Sequence, residues 1–491
     1  MRIGVSILFS ISLLFSCTNE NDSKEAISQS KKSWQKEAVA FLSNQDGLLT
    51  FGSINMDLLL KKIIKDSDLG SSGLIPMSMI DDYTDCIDTK YPIYFAVRDP
   101  KQSSNNPESI VFGKIIDADA LVETIKLDAP LLNIEKEGEI KYLLDGELKI
   151  AINEQYFVAL ISDEESKKTS KQKLNQIFKE LNSKQNNQDI DDIFSHSKDF
   201  TFAINSAAMS NYSAKMMGSS LTPIYEEFNA LVAIHLSFDK GSIKVSGKNY
   251  PSKEMESWNI FRKDSKSLLS TLGSGNPVGA IAMNIDVEAY ERLQKKYFPQ
   301  SIANTIQDSG LDDAFKDYIP DNFAVIEALI KKEGMNSFIN GGFSAAVYAD
   351  DGIHSEYSLH LGIGPSLRPV LADELEYYKD LFYQFDLNDN KLSIYSSGNN
   401  GPQSQDTPLT IAKRFSTFGN DPISGFIDLE RLPLEGIIPE YADPFMAILS
   451  NCIFNASMKE GAFILNMKNK EINSLTQICN QIPKLIMGSI L

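Results

Sequence analysis

The sequence predicts an α+β protein with large, curved antiparallel sheets, helices packed on one face, and two duplicated halves. Adjacent segments with the pattern of strands are joined by short turns, so hairpins outnumber candidate parallel crossovers. Helical segments stand between these groups of strands. Landmarks of the first half also recur, in the same order, in the second half. Together the three observations favour a repeated, mainly antiparallel architecture.

The repeat consists of three pairs of segments whose offset shrinks slowly along the chain. The pairs are "INMD" at 54–57 with "MNID" at 283–286, "DFTFAIN" from Asp199 with "DPISGFID" from Asp421, and "LSFDKGSIKVSGKN" at 236–249 with "ASMKEGAFILNMKN" at 456–469. Gly241 and Gly461 are expected at the tips of two hairpins, where glycine permits a positive φ. We interpret the repeat as a duplication, giving halves 38–266 and 267–491. Recurrent strand–helix and hairpin patterns without common ancestry are the alternative.

The first half contains the clearest individual elements. The segments "PIYFAVRD" and "SIVFGKII" predict two strands, and "ADALVETIK" predicts a helix with Asp117 as its N-cap. The stretch 139–162 predicts three short strands, because Asp145-Gly146 and Asn153-Glu154 are typical of tight turns. A lysine-rich helix is expected at about 164–182, and in the second half a hairpin is expected to turn at 350–352.

Residues 1–16 have the features of a secretory signal peptide. Arg2 supplies the positive charge, and the apolar run that follows is too short to span a bilayer as an ordinary transmembrane helix. Leu14 to Cys17 resembles a bacterial lipoprotein signal, in which the cysteine is acylated, for example with palmitate, and becomes the new N-terminus. An ordinary signal peptide with a cut elsewhere is the alternative. Acyl chains on Cys17 would anchor the protein stably to a membrane.

Residues 17–37 are predicted to be the lipidated Cys17 and a flexible tether, because the segment is polar and rich in Asn, Ser, Lys, Gln and Glu. Thr18 in place of Asp favours the outer membrane, by resemblance to enteric sorting. The acidic residues Glu20, Asp22 and Glu25 resemble the surface-export signals of Bacteroidota-type lipoproteins. We therefore expect an outer-membrane lipoprotein, and its face, periplasmic or cell-surface, stays open.

Composition limits the kinds of partner. The 491 residues, 42% of them hydrophobic, can bury large cores and form two domains. The formal net charge of −19 argues against electrostatic binding of nucleic acid or of anionic lipid, since both need a basic surface. The expected partners are the membrane, through the anchor at Cys17, and an unknown protein or glycan.

Three cysteines follow Cys17, in a compartment where disulfides can form. Cys452 is expected at the start of a strand and Cys479 in the terminal helix of the same half, so these two could pair. Alternatively they are small buried apolar residues, and Cys86 stays free in either case. No Cys/His cluster suggests a metal site, and no cofactor is expected.

The remaining chemistry-bearing residues give weak signals. His354, Glu356, Ser358 and His360 would share one face of a strand, where His354 and His360 are about 20 Å apart, too far to share a metal. A solvated polar face is the expectation. His196 and His235 have no partner nearby in the sequence, and a base assembled by folding stays an alternative.

Two acidic segments of the sequence could in principle bind a cation. "DLNDNK" at 386–391 imitates the start of a calcium loop, but Lys391 replaces the required glycine and Ser397 the bidentate glutamate, so a hairpin turn is predicted. The patch of Asp81, Asp82, Asp85 and Asp88 is interpreted as a solvated surface.

No catalytic sequence motif is present, and the two tryptophans, Trp34 and Trp258, are few for a glycan-binding platform. The predicted function is a non-enzymatic binding or structural protein of the envelope. One alternative is a glycan hydrolase with two carboxylates brought roughly 5 to 10 Å apart by folding. Another is a carrier of an apolar ligand, which would need a large apolar cavity.

The layout also resembles a known family. The segments "DGLLTFGSINMDLLLKKI", "YPIYFAVRD", "SIVFGKIIDADALVETI" and "IKYLLDGELKIAINEQYFVALIS" are similar to those of lipoproteins of Bacteroidota-type bacteria catalogued as domain of unknown function number 4836. The likeness covers most of the chain after Cys17. It departs from the family in having Asn44-Gln45-Asp46 in place of a proline-led start before the first strand. The resemblance implies location and architecture only, because the family brings no catalytic residues.

Overall fold

The structure, a computed structural model, describes most of the chain after Lys24. The described residues are 24–64, 85–99, 106–128, 133–146, 148–163, 166–183, 185–217, 229–257, 259–269, 276–297, 330, 332–348, 356–378, 383–396, 417–432 and 443–481.

The chain divides into two compact units. Unit 1 comprises Met1–Ser252, Glu440–Ile448 and Met467–Leu491, and unit 2 comprises Lys253–Pro439 and Leu449–Asn466. This differs from the expected halves 38–266 and 267–491. The last stretch of the chain packs with unit 1, because its side chains and backbone bond to residues of the first 252.

Eighteen strands are present among the described residues. They are β1 (Leu48–Ile54), β2 (Ile93–Arg98), β3 (Glu108–Lys114), β4 (Ile134–Glu137), β5 (Ile140–Asp145), β6 (Leu148–Ile152), β7 (Tyr156–Ile161), β8 (Phe200–Asn205), β9 (Ala230–Asp239), β10 (Ser242–Pro251), β11 (Gly279–Asn284), β12 (Ile339–Tyr348), β13 (Glu356–Ile363), β14 (Tyr383–Leu387), β15 (Lys391–Ser396), β16 (Ile423–Asp428), β17 (Leu449–Ala456) and β18 (Glu460–Met467).

Helices occupy the connections between the strands. They are α1 (Lys24–Ser43), α2 (Met56–Ile64), α3 (Ala118–Asp128), α4 (Lys167–Leu181), α5 (Gln188–Ser195), α6 (Ser206–Met217), α7 (Lys253–Ser257), α8 (Lys266–Leu269), α9 (Val287–Tyr297), α10 (Leu367–Tyr378), α11 (Asp443–Met446) and α12 (Ser474–Cys479), with a 3₁₀ turn at Met335–Ser337. No helix in this described part of the chain is long and apolar enough to cross a membrane.

Both units are built from antiparallel ladders, so the predicted α+β class with antiparallel sheets is confirmed. In unit 1 the strand order is β10-β9-β8-β1-β2-β3-β7-β6-β5-β4. In unit 2 it is β17-β16-β11-β12-β13-β15-β14.

Seven strands follow the same order in both units. The series β9-β8-β1-β2-β3-β7-β6 of unit 1 corresponds to β17-β16-β11-β12-β13-β15-β14 of unit 2. Strands β1 and β11 each lie inside their ladders. Ser53 of β1 lies between Tyr94 and Thr201, and Ala282 of β11 lies between Ser344 and Ser424. The repeated segments from Asp199 and Asp421 fall on the equivalent strands β8 and β16, and the shared strand order is the arrangement that a duplication would leave.

Helices cover both faces of the sheet in unit 1, which departs from the expected one-sided packing. One face carries Phe51, Tyr94 and Phe112 against helices α1, α4 and α5. Alternate residues of the same strands, such as Ile93 and Phe157, face helices α2, α3 and α12. The reason is visible in strands such as "YFVALI", which are apolar at successive positions and therefore need cover on both sides.

Unit 2 has two smaller cores. One consists of Ala280, Ala346, Phe418, Phe426 and Ile453. The other joins Phe338, Ile363 and Leu392 to Leu367 of α10.

Local turn chemistry follows the sequence closely. The Asp117 carboxylate accepts hydrogen bonds from the Asp119 and Ala120 amides, which confirms the predicted N-cap of α3. Gly146 at the β5–β6 turn and Gly241 at the β9–β10 turn have φ of 48° and 65°. Gly461 instead lies inside β18, because the turn before it is closed by Ser457 and Glu460. The expected turn at 350–352 lies outside the described residues.

The segment predicted as a flexible tether, 17–37, overlaps helix α1, which begins at Lys24. Trp34 and Phe41 are fully buried in the core of unit 1, together with Ala38. The segment is polar on average, but its few apolar residues recur at helical spacing, so that one face of the helix packs on the sheet.

Candidate functional site

Cys17, the predicted lipidation site, lies outside the described residues, and the nearest described element is helix α1. The candidate site is therefore the place where this helix joins unit 1, which we call the α1 dock. It consists of Ser30, Trp34, Glu37, Tyr91, Pro92, Lys114 and Tyr156.

Trp34 is the centre of the α1 dock. Its indole Nε1 donates a hydrogen bond of 2.8 Å to the carbonyl oxygen of Pro92, just before β2. Its ring stacks on Tyr156 of β7, with centroids 5.3 Å apart, and meets Tyr94 and Phe112 edge-on. The indole N–H group thus has a hydrogen-bond acceptor and the ring has aromatic neighbours, so burial of the tryptophan is favourable.

A charged layer lies next to these rings. The Lys114 ammonium is 4.2 Å from the Tyr156 ring centroid and 5.0 Å from that of Trp34, in cation–π geometry. The Tyr156 hydroxyl donates to the Glu37 carboxylate at 2.7 Å, and Glu37 lies 3.7 Å from Lys114. Burial lowers the pKa of Lys114, although the charge of Glu37 works against this. Burial and then Glu37 raise the pKa of Tyr156, so its hydroxyl keeps its proton.

The other end of α1 is joined to the sheet by a second polar network. Glu108 of β3 is almost fully buried and accepts from Arg98 at 2.9 Å and Lys173 at 2.5 Å. Arg98 also donates to Gln45, just beyond α1. Burial opposes the charge on Glu108, but the pairs with Lys173 and Arg98 outweigh it and lower the pKa of the carboxyl. The helix is therefore fixed to the sheet at both ends.

Asp199 is another buried carboxylate of unit 1 that is bonded within the fold. Asp199 accepts from the Lys62 ammonium at 2.5 and 2.7 Å and from the Phe238 amide at 2.6 Å. The C-terminal segment completes this cluster. Asn473 donates to the Phe238 carbonyl, and Thr476 donates to the Lys62 carbonyl.

Lys149 of β6 is another buried charge in this unit. Its ammonium donates to the backbone carbonyls of Ser162 and Asp163 and to the Ser162 hydroxyl, at 2.7 to 2.9 Å. These contacts satisfy the ammonium's three donors and tie the end of β7 to β6.

Two of the histidines, His235 and His360, are buried and contact a hydroxyl group of a neighbouring strand. His235 contacts the Thr201 hydroxyl through Nδ1 at 3.1 Å, and burial, then the nearby charges of His196, Lys198 and Lys248, lowers its pKa. His360 contacts Ser393 in the same way at 2.8 Å, and burial lowers its pKa to about 4. His354 lies outside the described residues.

The expectation of a solvated face on β13 is wrong where the structure describes it. Ser358 and His360 are buried, as are Ser344, Ser393 and Ser424. Four of these residues form, with Ala282, one cross-strand row from β16 to β15, in the order Ser424, Ala282, Ser344, His360 and Ser393. Alternation alone could not show that this polar side of the strand is buried.

His196 is exposed and does not form a catalytic triad with its neighbours. Its Nδ1 lies 3.0 Å from the Ser195 hydroxyl and 3.6 Å from the Asp192 carboxylate. A Ser-His-Asp triad needs the hydroxyl and the carboxylate on opposite ring nitrogens, whereas both are here beside the same one. Hydrogen bonds from Lys248 and Tyr250 lower the pKa of Asp192.

The structure describes one of the two acidic segments fully and the other in part. The "DLNDNK" segment is the turn between β14 and β15, as predicted, with the Asn388 amide bonded to the Lys391 carbonyl. Asp81 and Asp82 lie outside the described residues, and Asp88 accepts from the Lys90 amide in a local turn. Within the described ranges no group of three His, Cys, Asp or Glu side chains is arranged to hold a metal ion.

The disulfide considered between Cys452 and Cys479 is not formed. Both are buried free thiols, as is Cys86, and burial raises the pKa of Cys452 and Cys479. Cys452 lies in unit 2 and the helix carrying Cys479 belongs to unit 1, so the two cysteines are not in the same half, contrary to what the sequence predicts.

Comparisons with known proteins add little. No family model and no curated protein matches the chain. Among solved structures, crystal form I of TP0453 is 9% identical over 73% of this chain and 90% of that one, with a TM-score of 0.20. A score this low carries no argument about fold or function.

Proposed function

We propose that this chain is an outer-membrane lipoprotein, anchored by lipid on Cys17, whose folded body binds an envelope or extracellular partner and does not act as an enzyme. One observation carries the proposal. Helix α1 begins seven residues after Cys17, since 24 minus 17 is 7, and Trp34 fixes that helix in the core of unit 1. A lipid on Cys17 would therefore hold the whole folded unit at a membrane.

The non-enzymatic part of the proposal is supported by the way five buried polar side chains are bonded. Glu108, Asp199, Lys149, His235 and His360 bond to groups of the fold itself. The glycan-hydrolase alternative needs a carboxyl group whose pKa is raised, so that it can act as a general acid. The pKa of the buried Glu108 is instead lowered.

Membership in the lipoprotein family of domain of unknown function number 4836 is part of the same proposal. It is supported by the segments quoted above, which form β1 with α2, β2, β3 with α3, and β5 to β7. The family would account for an anchored α+β body without a catalytic site.

The anchor is tested by growing cells with a clickable palmitate analogue and recovering the protein. The wild type should carry the label and Cys17→Ala should carry none. Cys86→Ala, which removes a different, buried cysteine, is the control and should carry the label. Label that persists in Cys17→Ala, or is absent from the wild type, would refute the anchor.

The location is tested by treating intact cells with protease and following the protein by blot beside a periplasmic control. Digestion in intact cells would indicate a cell-surface partner, and digestion only after lysis a periplasmic one. Fractionation of the labelled protein with the inner membrane would contradict the outer-membrane assignment. Turnover of purified envelope glycans by the protein would contradict the binding role.

A further inference from the structure

Helix α1 has a defined direction on the sheet of unit 1. Near its start, the Ser30 hydroxyl lies 2.7 Å from the Tyr91 hydroxyl, and Trp34 bonds to the Pro92 carbonyl, both just before β2. Beyond its end, Gln45 bonds to Arg98, the last residue of β2. The helix therefore runs parallel to β2, and its N-terminus points out of the end of the sheet where β2 begins.

That end of the sheet, which we call the proximal end, is made of turns. It includes Asn55 after β1, Tyr91 before β2, Ile116 after β3 and the β6–β7 turn at 153–155. The assignment follows from the registers, which pair Ile54 with Ile93 and Lys114 with Tyr156. The opposite, distal end includes Asp46 and Gly47, whose carbonyl accepts from the Asp99 amide after β2.

The chain before the helix is too short to reach back to the distal end of the sheet. From Ser30 back to Lys24 the helix extends about 9 Å beyond its contact with Tyr91, at about 1.5 Å per residue. The seven residues from Cys17 to Lys24 span at most about 25 Å in any conformation. Strand β1 is about 23 Å long, so the distal end lies about 32 Å from Lys24 along the helix, which is beyond the reach of those seven residues.

The proximal end also exposes apolar side chains. Ile116 is 61% exposed and Leu58, in the first turn of α2, is 37% exposed. Both follow strands that end here. Away from the proximal end, Leu127 in the last turn of α3 is 78% exposed and Leu148, the first residue of β6, is 42% exposed, so exposure alone does not distinguish the two ends. Leu148, at the distal end, is a matched control for the effect of one exposed apolar residue.

We propose that the proximal end of unit 1 is a membrane-contact surface, with Ile116 and Leu58 entering the headgroup region of the bilayer that holds the lipid on Cys17. This inference rests on the proposed lipid anchor. The partner is a lipid surface, because the direction of α1 and the short chain before it bring the proximal end to the membrane first. Apolar side chains at such a surface are stabilised by entering the interface.

The test uses full-length lipoprotein purified from cells and reconstituted into phosphatidylethanolamine–phosphatidylglycerol vesicles that carry a headgroup nitroxide. Glu154→Cys at the proximal end and Asp46→Cys at the distal end are labelled with a small fluorophore. Both positions are exposed, and the parent protein, whose described thiols are buried, corrects for background labelling. The proximal label should be quenched at least about twofold more strongly. Equal quenching, or stronger quenching of the distal label, would overturn the proposal.

A second variant separates contact from mere proximity. Ile116→Asp should lower the quenching of the label at position 154 by about twofold, whereas Leu148→Asp should leave it unchanged. If Ile116→Asp has no effect, apolar contact is refuted. The mass of the N-terminal peptide in each preparation shows whether Cys17 is acylated, which separates the test of the anchor from the test of the membrane contact. An acylated protein with equal quenching refutes the contact alone, and a protein without acyl chains refutes the anchor and the contact together.

Discussion

The Trp34 indole stacks on the Tyr156 ring with an interplanar angle of 16°, and this pair joins helix α1 to the sheet of unit 1. Trp34 comes from a segment of strongly polar composition, and Tyr156 from the apolar strand "YFVALI". The contact makes α1 part of the folded unit.

Replacing Trp34 by alanine should destabilise unit 1 by about 3 to 5 kcal/mol, because it leaves a cavity beneath α1 and removes the bond to Pro92. Trp34→Phe keeps a ring against Tyr156 and should cost less. Urea unfolding followed by circular dichroism measures both variants. Equal free energies of unfolding for the wild type and Trp34→Ala would show that α1 is not part of the cooperative core.

Glu108→Gln should lower the free energy of unfolding by about 3 to 5 kcal/mol at pH 7, since Arg98 and Lys173 lose their shared partner in a buried site. The exposed acid Glu123, paired with Lys126, provides the matched control, and Glu123→Gln should cost less than about 1 kcal/mol.

The effect of Glu108 should also depend on pH. The folded-state pKa of Glu108 is lowered, so the stabilisation is present above the ordinary pKa of about 4.3 and is lost as the pH falls through the lower folded value. The difference between the wild type and Glu108→Gln should therefore shrink when unfolding is measured at progressively lower pH below about 4. A difference that grows on acidification would contradict the lowered pKa.

His360 should make unit 2 sensitive to mild acid. Its folded pKa of about 4 lies below the ordinary 6.5, so the unfolded chain binds the proton more readily. Stability should be complete above pH 6.5 and fall by roughly 3 kcal/mol as the pH drops to about 4. His360→Gln should flatten this part of the pH profile, whereas His196→Gln, at an exposed histidine, should not. An unchanged profile in His360→Gln would place the sensitivity elsewhere.

Gly52→Ala should disrupt the centre of the unit 1 sheet. A Cβ at position 52 would lie 2.2 Å from the Thr201 carbonyl oxygen and 2.6 Å from the Phe95 ring, so the β1–β8 ladder must shift. We expect a loss of about 1 to 3 kcal/mol or more. Gly279 of β11 is the matched control, since its added Cβ would come no closer than 3.7 Å to the Phe426 carbonyl oxygen. A similar melting temperature for Gly52→Ala and Gly279→Ala would argue against the close approach.

The sequence was informative where the signals are local. The N-cap at Asp117, the turns at Gly146 and Asn153, and the antiparallel α+β class depend on neighbouring residues, and the structure contains them. The repeat was found because matching segments could be compared directly. The same signals located the strands that carry the α1 dock.

What could not be predicted depends on distant contacts. Nothing local to "HSEYSLHLG" shows that its polar face, with Ser358 and His360, is buried. The number of tryptophans bears only on a glycan-binding platform. The helical spacing of Trp34 to Ala38 and Phe41 is the signal that identifies the buried face of α1. The assignment of Cys452 and Cys479 to different units depends on how the end of the chain is used.

The return of the C-terminal segment to unit 1 sets a condition on how the protein is made. The bonds from Asn473 to Phe238 and from Thr476 to Lys62 join residues 235 and 414 positions apart. A nascent chain that has completed the first 252 residues still lacks α12, so the apolar residues beneath that helix stay open until residues 474–479 have been made. Contacts of such long separation are slow to form, because closing the intervening loop costs entropy before any contact compensates. Biogenesis therefore requires that the early part of the chain be protected from aggregation while the rest is synthesised.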